Sequence, residues 1–165
     1  MTDPKPISRD AVQAAIEKAR HYRLLNEPAE AESICLDVLQ ADPENQPALV
    51  TLLLALTDRF GKGYEVSETR PEDLLARLRS EYDRAYYGGI IQERRAKAHL
   101  HQNRPGAGYA AFEFLEAARK LYEKAEALRP PGNDEAVLRW NTCARLIERN
   151  KLQPRPAEKY EPSLE

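Results

Sequence analysis

The sequence predicts an all-α protein of about seven helices, and three observations predict it. Ala and Leu supply 43 of the 165 residues, whereas Val, Ile and Thr, which favour β-sheets, supply 16. The 12 prolines and 7 glycines are bunched, so they divide the chain into segments of helical length. Within those segments apolar residues recur at intervals of three and four. We therefore expect seven helices in one domain.

The predicted helices are the segments between the clusters of Pro and Gly. In chain order they cover 7–27, 29–42, 48–60, 72–87, 90–104, 109–129 and 133–153. The third segment has hardly any polar side, so we expect protein on all sides of it. The sixth is strongly amphipathic, with Leu115 and Tyr122 on its apolar side. Asn45 and Asn133 are predicted N-caps, and Thr69-Arg70-Pro71-Glu72 has the form of a capping box.

Composition and charge argue against several classes of function. A net charge of −2 without a large basic block gives no electrostatic footprint for nucleic acid. No apolar stretch approaches the roughly 18 residues that cross a bilayer, so no membrane role is expected. Residues 1–10 lack the apolar region of a signal peptide, which favours a cytoplasmic protein. Cys35 and Cys143 lie far apart without metal-type spacing, and we expect both to be inert buried thiols.

No arrangement of residues indicates catalysis, a metal site or a cofactor. His99 and His101 are two positions apart, so on a helix they point about 200° from each other and cannot share a metal. No recognised pattern places a Ser or Cys near His21. Gly61-Lys62-Gly63 is too short for a phosphate-binding loop, and no strand precedes it. Trp140 is expected to close the core under the last helix.

One spacing of apolar and small residues occurs three times along the chain. The copies read Ala31-x3-Cys35-x2-Val38-x4-Pro43, Ala118-x3-Tyr122-x2-Ala125-x4-Pro130 and Leu78-x3-Tyr82-x2-Ala85, the last followed by Gly88-Gly89. Ala19 and Tyr22 precede the first copy at the spacing of a partner helix. This pattern resembles the tetratricopeptide (TPR) repeat, a 34-residue helix-turn-helix unit with a small residue and Tyr on its first helix and Ala, an aromatic, Ala and Pro on its second.

The resemblance implies antiparallel helix pairs stacked as a short right-handed solenoid with a C-terminal capping helix. The units would cover about 12–45, 46–89 and 90–131, with the cap at 133–150. They would form a repeat domain over 7–152, between a flexible N-terminus at 1–6 and a mobile Pro-rich tail at 153–165. Extra residues around 61–70 are expected in a loop.

The resemblance also implies a non-catalytic protein–protein interaction module whose first helices line a concave groove for an extended peptide or a partner helix. The predicted groove residues are Gln13, Ile16, Arg20, Arg23, Leu24, Val50, Leu54, Thr57, Asp58, Gln92, Arg95 and His99. Such a groove is apolar in the middle and basic at its flanks, so it suits an acidic peptide with a hydrophobic anchor. Arg20 and Arg95 would supply specificity, although ordinary surface charges explain these arginines equally well.

Other interpretations stay open from the sequence alone. The chain could instead be a structural subunit that self-associates within a larger assembly, including as a homo-oligomer. The segment Tyr160–Glu165 carries an aromatic residue and carboxylates, so it could occupy the groove of its own or a neighbouring molecule. The loop at 61–70 could close over a ligand. The sequence does not identify the partner.

Overall fold

The computed structural model describes residues 2–63 and 67–158, and within them the fold is all-α with seven α-helices and no strand. A 3-10 turn at Arg9–Ala11 comes before the first helix. The helices are α1 (Val12–Leu24), α2 (Pro28–Ala41), α3 (Gln46–Asp58), α4 (Pro71–Ala76), α5 (Glu81–Gln102), α6 (Ala107–Leu128) and α7 (Glu135–Arg149). The predicted fold class and number of helices are confirmed.

The helix starts follow the predicted caps in one place out of three. The Asn45 side chain accepts a hydrogen bond from the Ala48 backbone N–H at 2.9 Å and begins α3. The predicted N-cap at Asn133 is wrong by one residue, because Asp134 is the N-cap of α7, and the Asn133 side chain accepts from the Glu135 N–H at 3.1 Å from the position before it. The predicted capping box is wrong, because α4 begins at Pro71 directly after Arg70 and no side chain caps it.

The largest difference from the predicted helices lies between residues 71 and 104. Helices were expected over 72–87 and 90–104, separated at Gly88-Gly89. Instead α4 ends at Ala76, and α5 begins at Glu81, where the Ser80 hydroxyl accepts a hydrogen bond from the Asp83 N–H at 3.1 Å. Helix α5 then continues through both glycines. The third copy of the repeated spacing therefore starts in a loop, and positions 89 and 90 lie within one helix.

Gly89 belongs inside α5 because α6 approaches the helix closely at this point. A Cβ atom at residue 89 would lie 2.4 Å from Cε1 of the Tyr122 ring, a distance that no real Cβ contact has. At the neighbouring Gly88, a Cβ atom would lie 3.4 Å from Leu121, an ordinary contact. From the sequence alone Gly89 suggests a helix break, but in the structure it leaves room for the Tyr122 ring.

The helices pack in chain order, each against the next, and α3 also contacts α1 and α5. One apolar cluster lies among α1 to α4 and α5, around Leu49, Leu52 and Leu53. A second lies among α5, α6 and α7, around Leu115 and Tyr122. Helix α3 is buried on nearly all sides, as its sequence predicted.

Substituting Gly89 by Ala should destabilise the protein by about 1–3 kcal/mol, because the methyl group would have to displace the Tyr122 ring. The matched change Gly88→Ala should be neutral or stabilising by up to about 1 kcal/mol, since Ala favours a helix over Gly and finds room there. Urea unfolding followed by circular dichroism measures both. Equal effects of the two substitutions would contradict the close approach.

Candidate functional site

Helix α3 lies between α1 and α5, and one stripe of its side chains reaches solvent. Val50, Leu54 and Asp58 form the stripe, at the four-residue spacing of one side of a helix, and each is half-buried. Arg23 of α1 and Arg94 of α5 border it on either side, since both contact Asp58. We call these five residues, with the exposed side chains next to them, the α1–α3–α5 face.

A chain of ion pairs connects the three helices across this face. Arg23 donates from Nε and Nη2 to the Asp58 carboxylate at 2.7 and 3.2 Å. Nη1 of Arg94 lies 2.7 Å from Oδ1 of the same carboxylate. One negative charge is therefore shared between two guanidinium groups, and the face keeps an excess of positive charge. Burial chiefly lowers the pKa of Arg94, and the positive charge of Arg23 acts in the same direction.

Arg94 is also held in place by neutral acceptors at the end of α3. Its Nη1 donates to the Leu54 carbonyl at 2.8 Å and to Oγ1 of Thr57 at 2.6 Å. Thr57 in turn donates from its hydroxyl to the Leu53 carbonyl at 3.0 Å. The guanidinium group is thus fixed before any ligand arrives, which lowers the entropic cost of binding to it.

Seven of the twelve predicted groove residues lie on the solvent side of α1 and α3. They are Gln13, Arg20, Arg23, Leu24, Val50, Leu54 and Asp58. For Ile16 and Thr57 the prediction is wrong, because their side chains are 1% and 2% exposed. Ile16 packs with Val38 and Ala48, and the Thr57 hydroxyl is bonded within the protein, so neither offers a surface to a ligand.

The three groove residues predicted on α5 do not face α3. Arg95 forms an ion pair with Glu72 of α4, and its guanidinium lies 5.6 Å from the centre of the Phe60 ring. The His99 ring stacks on Phe114 of α6 with 5.3 Å between the ring centres. Gln92 is two positions before Arg94, and so lies about 200° from it around the helix. These three residues therefore lie outside the α1–α3–α5 face, and their place in a groove stays a prediction.

Arg94 is the charged residue of this face that the sequence reasoning missed. The signal for it is the spacing Tyr87, Ile91, Arg94 and Ala98, which puts these residues on one side of a continuous helix. Tyr87 and Ile91 pack into the cluster that contains α3. This pattern is visible only once Gly88-Gly89 is read as part of the helix.

A second polar network lies on the other side of α5. The Glu93 carboxylate is fully buried and accepts hydrogen bonds from Tyr122 of α6 at 2.7 Å and Arg139 of α7 at 2.7 Å. Lys97 Nζ lies 2.5 Å from the same carboxylate. Burial and the Glu93 charge raise the pKa of Tyr122 far above its usual value, so this phenol stays protonated and donates.

Two cavities flank the loop that follows α3. The larger, about 610 Å³, lies between Phe60, Arg95 and the segment 67–73. The smaller, about 200 Å³, lies between the ends of α3 and α5 and is lined by Arg94 and Lys97 among others. Whether the loop at 61–70 closes over a ligand stays a prediction.

The remaining residues noted in the sequence are placed in or against the core. Cys35 and Cys143 are fully buried, as predicted, and burial raises the pKa of each thiol to about 12, which favours unreactive thiols. Trp140 packs on the second cluster and donates to Glu123 at 3.0 Å, while the Arg119 guanidinium lies 4.2 Å from the centre of its ring. Trp140 closes the core, as predicted.

Among residues 2–63 and 67–158, no group of three or more His, Cys, Asp or Glu side chains is placed to hold a metal ion. Within the same residues, none of the helices combines the length and the apolar character needed to cross a bilayer.

The start of the Pro-rich tail contacts α6. Leu152 packs on the second apolar cluster, and Arg155 lies 3.5 Å from the Glu113 carboxylate and 5.6 Å from the Tyr109 ring centre. The segment Tyr160–Glu165, which the sequence offered as an occupant of the groove, lies outside the described residues.

Replacing Asp58 by Asn should cost about 1–3 kcal/mol of stability, because two partly buried guanidinium groups lose their shared carboxylate. The matched control is Glu44→Gln, which breaks an exposed pair with Arg79 at 3.5 Å and should cost less than about 0.5 kcal/mol. Urea unfolding at low and high salt measures both variants. A loss at Asp58 no greater than that at Glu44 would show that the chain of ion pairs contributes no stability.

Neither cysteine should react readily in the folded protein. At pH 8 the raised pKa values keep both thiols protonated and burial blocks access, so labelling by an aromatic disulfide should be at least about 100-fold slower than in urea. The rate should stay low as the pH rises to 9, where an exposed thiol accelerates. Rapid modification of either thiol in native buffer would contradict this assignment.

No family model, no curated protein and no solved structure matches this chain. The resemblance to TPR proteins accordingly stays a prediction from residue spacing, and the α1–α3–α5 face is the feature from which a function can be argued.

Proposed function

We propose that this chain is a non-catalytic, TPR-like binding module that holds an acidic peptide with a hydrophobic anchor on its α1–α3–α5 face. The observation that carries the proposal is the sharing of the Asp58 carboxylate between Arg23 and Arg94 beside the half-buried Val50 and Leu54. Positive charge in excess, next to accessible apolar surface, suits a peptide that supplies both carboxylates and an aliphatic or aromatic side chain.

The order of helix contacts supports a repeat arrangement. Helices α1 and α2, α3 and α4, and α5 and α6 are three successive packed pairs, and α7 packs against the last of them. The first helices of the pairs contact one another in sequence, α1 with α3 and α3 with α5. In the proposed solenoid these first helices line the concave side, and α7 covers the apolar side of the last pair.

The charge distribution favours an anionic partner. The chain as a whole has a net charge of −2. On the α1–α3–α5 face, by contrast, Arg23 and Arg94 share the Asp58 carboxylate, and the exposed Arg20 has no ion-pair partner among the described residues. A local positive patch on an acidic protein attracts acidic segments during encounter and disfavours basic ones.

Each part of the face would have its own role in binding. Val50 and Leu54 would provide contact area for the hydrophobic anchor, and Arg20 would bind a carboxylate, since its side chain is exposed and unpaired in the described residues. Arg23 and Arg94 would orient the peptide from fixed positions, because ion pairs and hydrogen bonds already hold them. Because this surface is ordered before binding, most of the conformational entropy lost on binding is that of the peptide.

Selection from a random peptide library displayed on phage tests this function. Enriched peptides should combine Asp or Glu with an aliphatic or aromatic residue. The variant Arg20→Glu should weaken the best peptide about tenfold or more, because it reverses an exposed charge beside Arg23. Fluorescence anisotropy with the labelled peptide measures the affinity.

Lys18→Glu is the matched control. Lys18 is equally exposed on the same helix but lies about 200° from Arg20, away from α3. Its affinity should stay within about twofold of the unaltered protein. Equal losses in the two variants, or no enrichment of acidic peptides, would overturn the proposal. A mass that rises with protein concentration in light scattering would then favour the self-associating role.

A further inference from the structure

The small cavity between the ends of α3 and α5 has a strongly basic lining. Its volume is about 200 Å³, roughly the size of one side chain with its end group. Arg94, Lys97 and His101 line it from one side of α5, at spacings of three and four residues, and Lys62 lines it from the loop after α3. Among the described residues of this lining, Asp58 is the one carboxylate.

The loop is fixed against α5 by a glycine. Gly61 has φ of +72°, a left-handed conformation, and a Cβ atom there would lie 2.8 Å from the Cβ of Ala98. Only a residue without a side chain allows this approach. The contact brings Lys62 to the rim of the cavity, facing the basic side of α5.

Three acceptor groups beside the cavity already have partners. The Leu54 carbonyl, Thr57 Oγ1 and the Asp58 carboxylate are bonded to Arg94. In the last turn of α3, the Leu56 carbonyl accepts a hydrogen bond from the Arg59 backbone N–H, and the Thr57 carbonyl accepts one from the Phe60 N–H, at 3.3 Å each.

Donors, in contrast, remain free. Arg94 uses Nη1 for all three of its contacts, so its Nε and Nη2 have no partner among residues 2–63 and 67–158. Within the same residues, the exposed side chains of Lys62 and His101 have no hydrogen-bond or ion-pair partner either. Lys97 is shared with the buried Glu93. Among residues 2–63 and 67–158, the cavity therefore has free donors on α5 and on the loop after α3, and its lining includes no unpaired carboxylate.

We propose that this cavity binds a phosphate group carried on a peptide side chain. The Nε and Nη2 edge of an arginine binds two phosphate oxygens side by side, and Lys62 on the opposite rim reaches the third. A phosphate has three acceptor oxygens and nearly two negative charges, whereas a carboxylate has two coplanar oxygens and one charge. The surplus of basic groups and their placement on two walls suit the phosphate better.

This proposal rests on the proposed peptide-binding function, because the cavity adjoins the α1–α3–α5 face through Asp58 and Arg94. A peptide lying along that face would place one side chain between the ends of α3 and α5. The phosphate would then specify one position of the peptide, and Val50 and Leu54 the anchor.

Three labelled peptides that differ at one position test the proposal by fluorescence anisotropy. They carry an aliphatic anchor followed by phosphoserine, serine or glutamate. The phosphoserine peptide should bind about tenfold or more tightly than the other two, because it alone fills the basic lining with a dianion. Its affinity should also fall more steeply with added salt.

Matched double variants locate the effect. Lys62→Gln with His101→Gln removes two exposed basic side chains from the cavity and should abolish most of the preference for phosphoserine. Lys120→Gln with His21→Gln removes the same residue types from exposed positions on α6 and α1, and should leave it intact. Since all four positions are exposed, both variants should fold, and circular dichroism checks this.

The outcomes separate this inference from the proposed function. Equal binding of the three peptides, or equal effects of the two double variants, overturns the phosphate site. If a peptide sensitive to Arg20→Glu still binds in that case, the peptide-binding function stands without it. Inorganic phosphate is the further probe, followed by NMR shifts of α5 amides. Binding of inorganic phosphate as tight as that of the phosphopeptide would assign the cavity to the free ion and overturn the peptide-borne form.

Discussion

The packing of the C-terminal half depends on one buried charge, the carboxylate of Glu93. A buried carboxylate without partners is strongly unfavourable, so its neighbours must supply donors at fixed positions. Tyr122 of α6 and Arg139 of α7 do so, each at 2.7 Å. The positions of these donors therefore fix how α5, α6 and α7 pack against one another. Arg94, the next residue, lies about 100° further around α5 and meets Asp58 of α3. Glu93 and Arg94 thus orient α5 towards α6 and α7 and towards α3, respectively.

Apolar and ionic contacts at α5 connect helices α1 to α4 with helices α6 and α7. Leu54 and Tyr87 pack against both apolar clusters, so neither cluster can shift without disturbing the other. The ion pairs of Asp58 cross the same boundary and reach α1. The charged groups that hold the helices together also belong to the α1–α3–α5 face. The close packing beneath that face therefore fixes their positions.

Much of the fold could be predicted from local patterns. The number of helices, the burial of α3, the cap at Asn45 and the buried thiols all follow from spacing and residue type. The division between α4 and α5 could not be predicted in this way, because Gly88-Gly89 favours a break locally and only the distant Tyr122 explains its place inside a helix. That error moved the predicted binding residues of α5 to Arg95 and His99, whose partners lie on α4 and α6. On α3, Val50, Leu54 and Asp58 reach solvent, because the bounds of that helix are marked by its own sequence, whereas Thr57 is buried.

The contact between Gly89 and Tyr122 has a consequence for how this sequence can diverge. The Tyr122 ring, which lies against Gly89, carries the hydroxyl that donates to Glu93. A substitution at any one of these three residues therefore affects the other two. A side chain at position 89 requires a smaller residue at 122, and the loss of the phenol leaves the buried carboxylate with one donor fewer. A neutral residue at 93 would then be favoured, which in turn frees Arg139. Homologous chains should therefore vary at these positions together, in a few discrete combinations, rather than drift at each one separately.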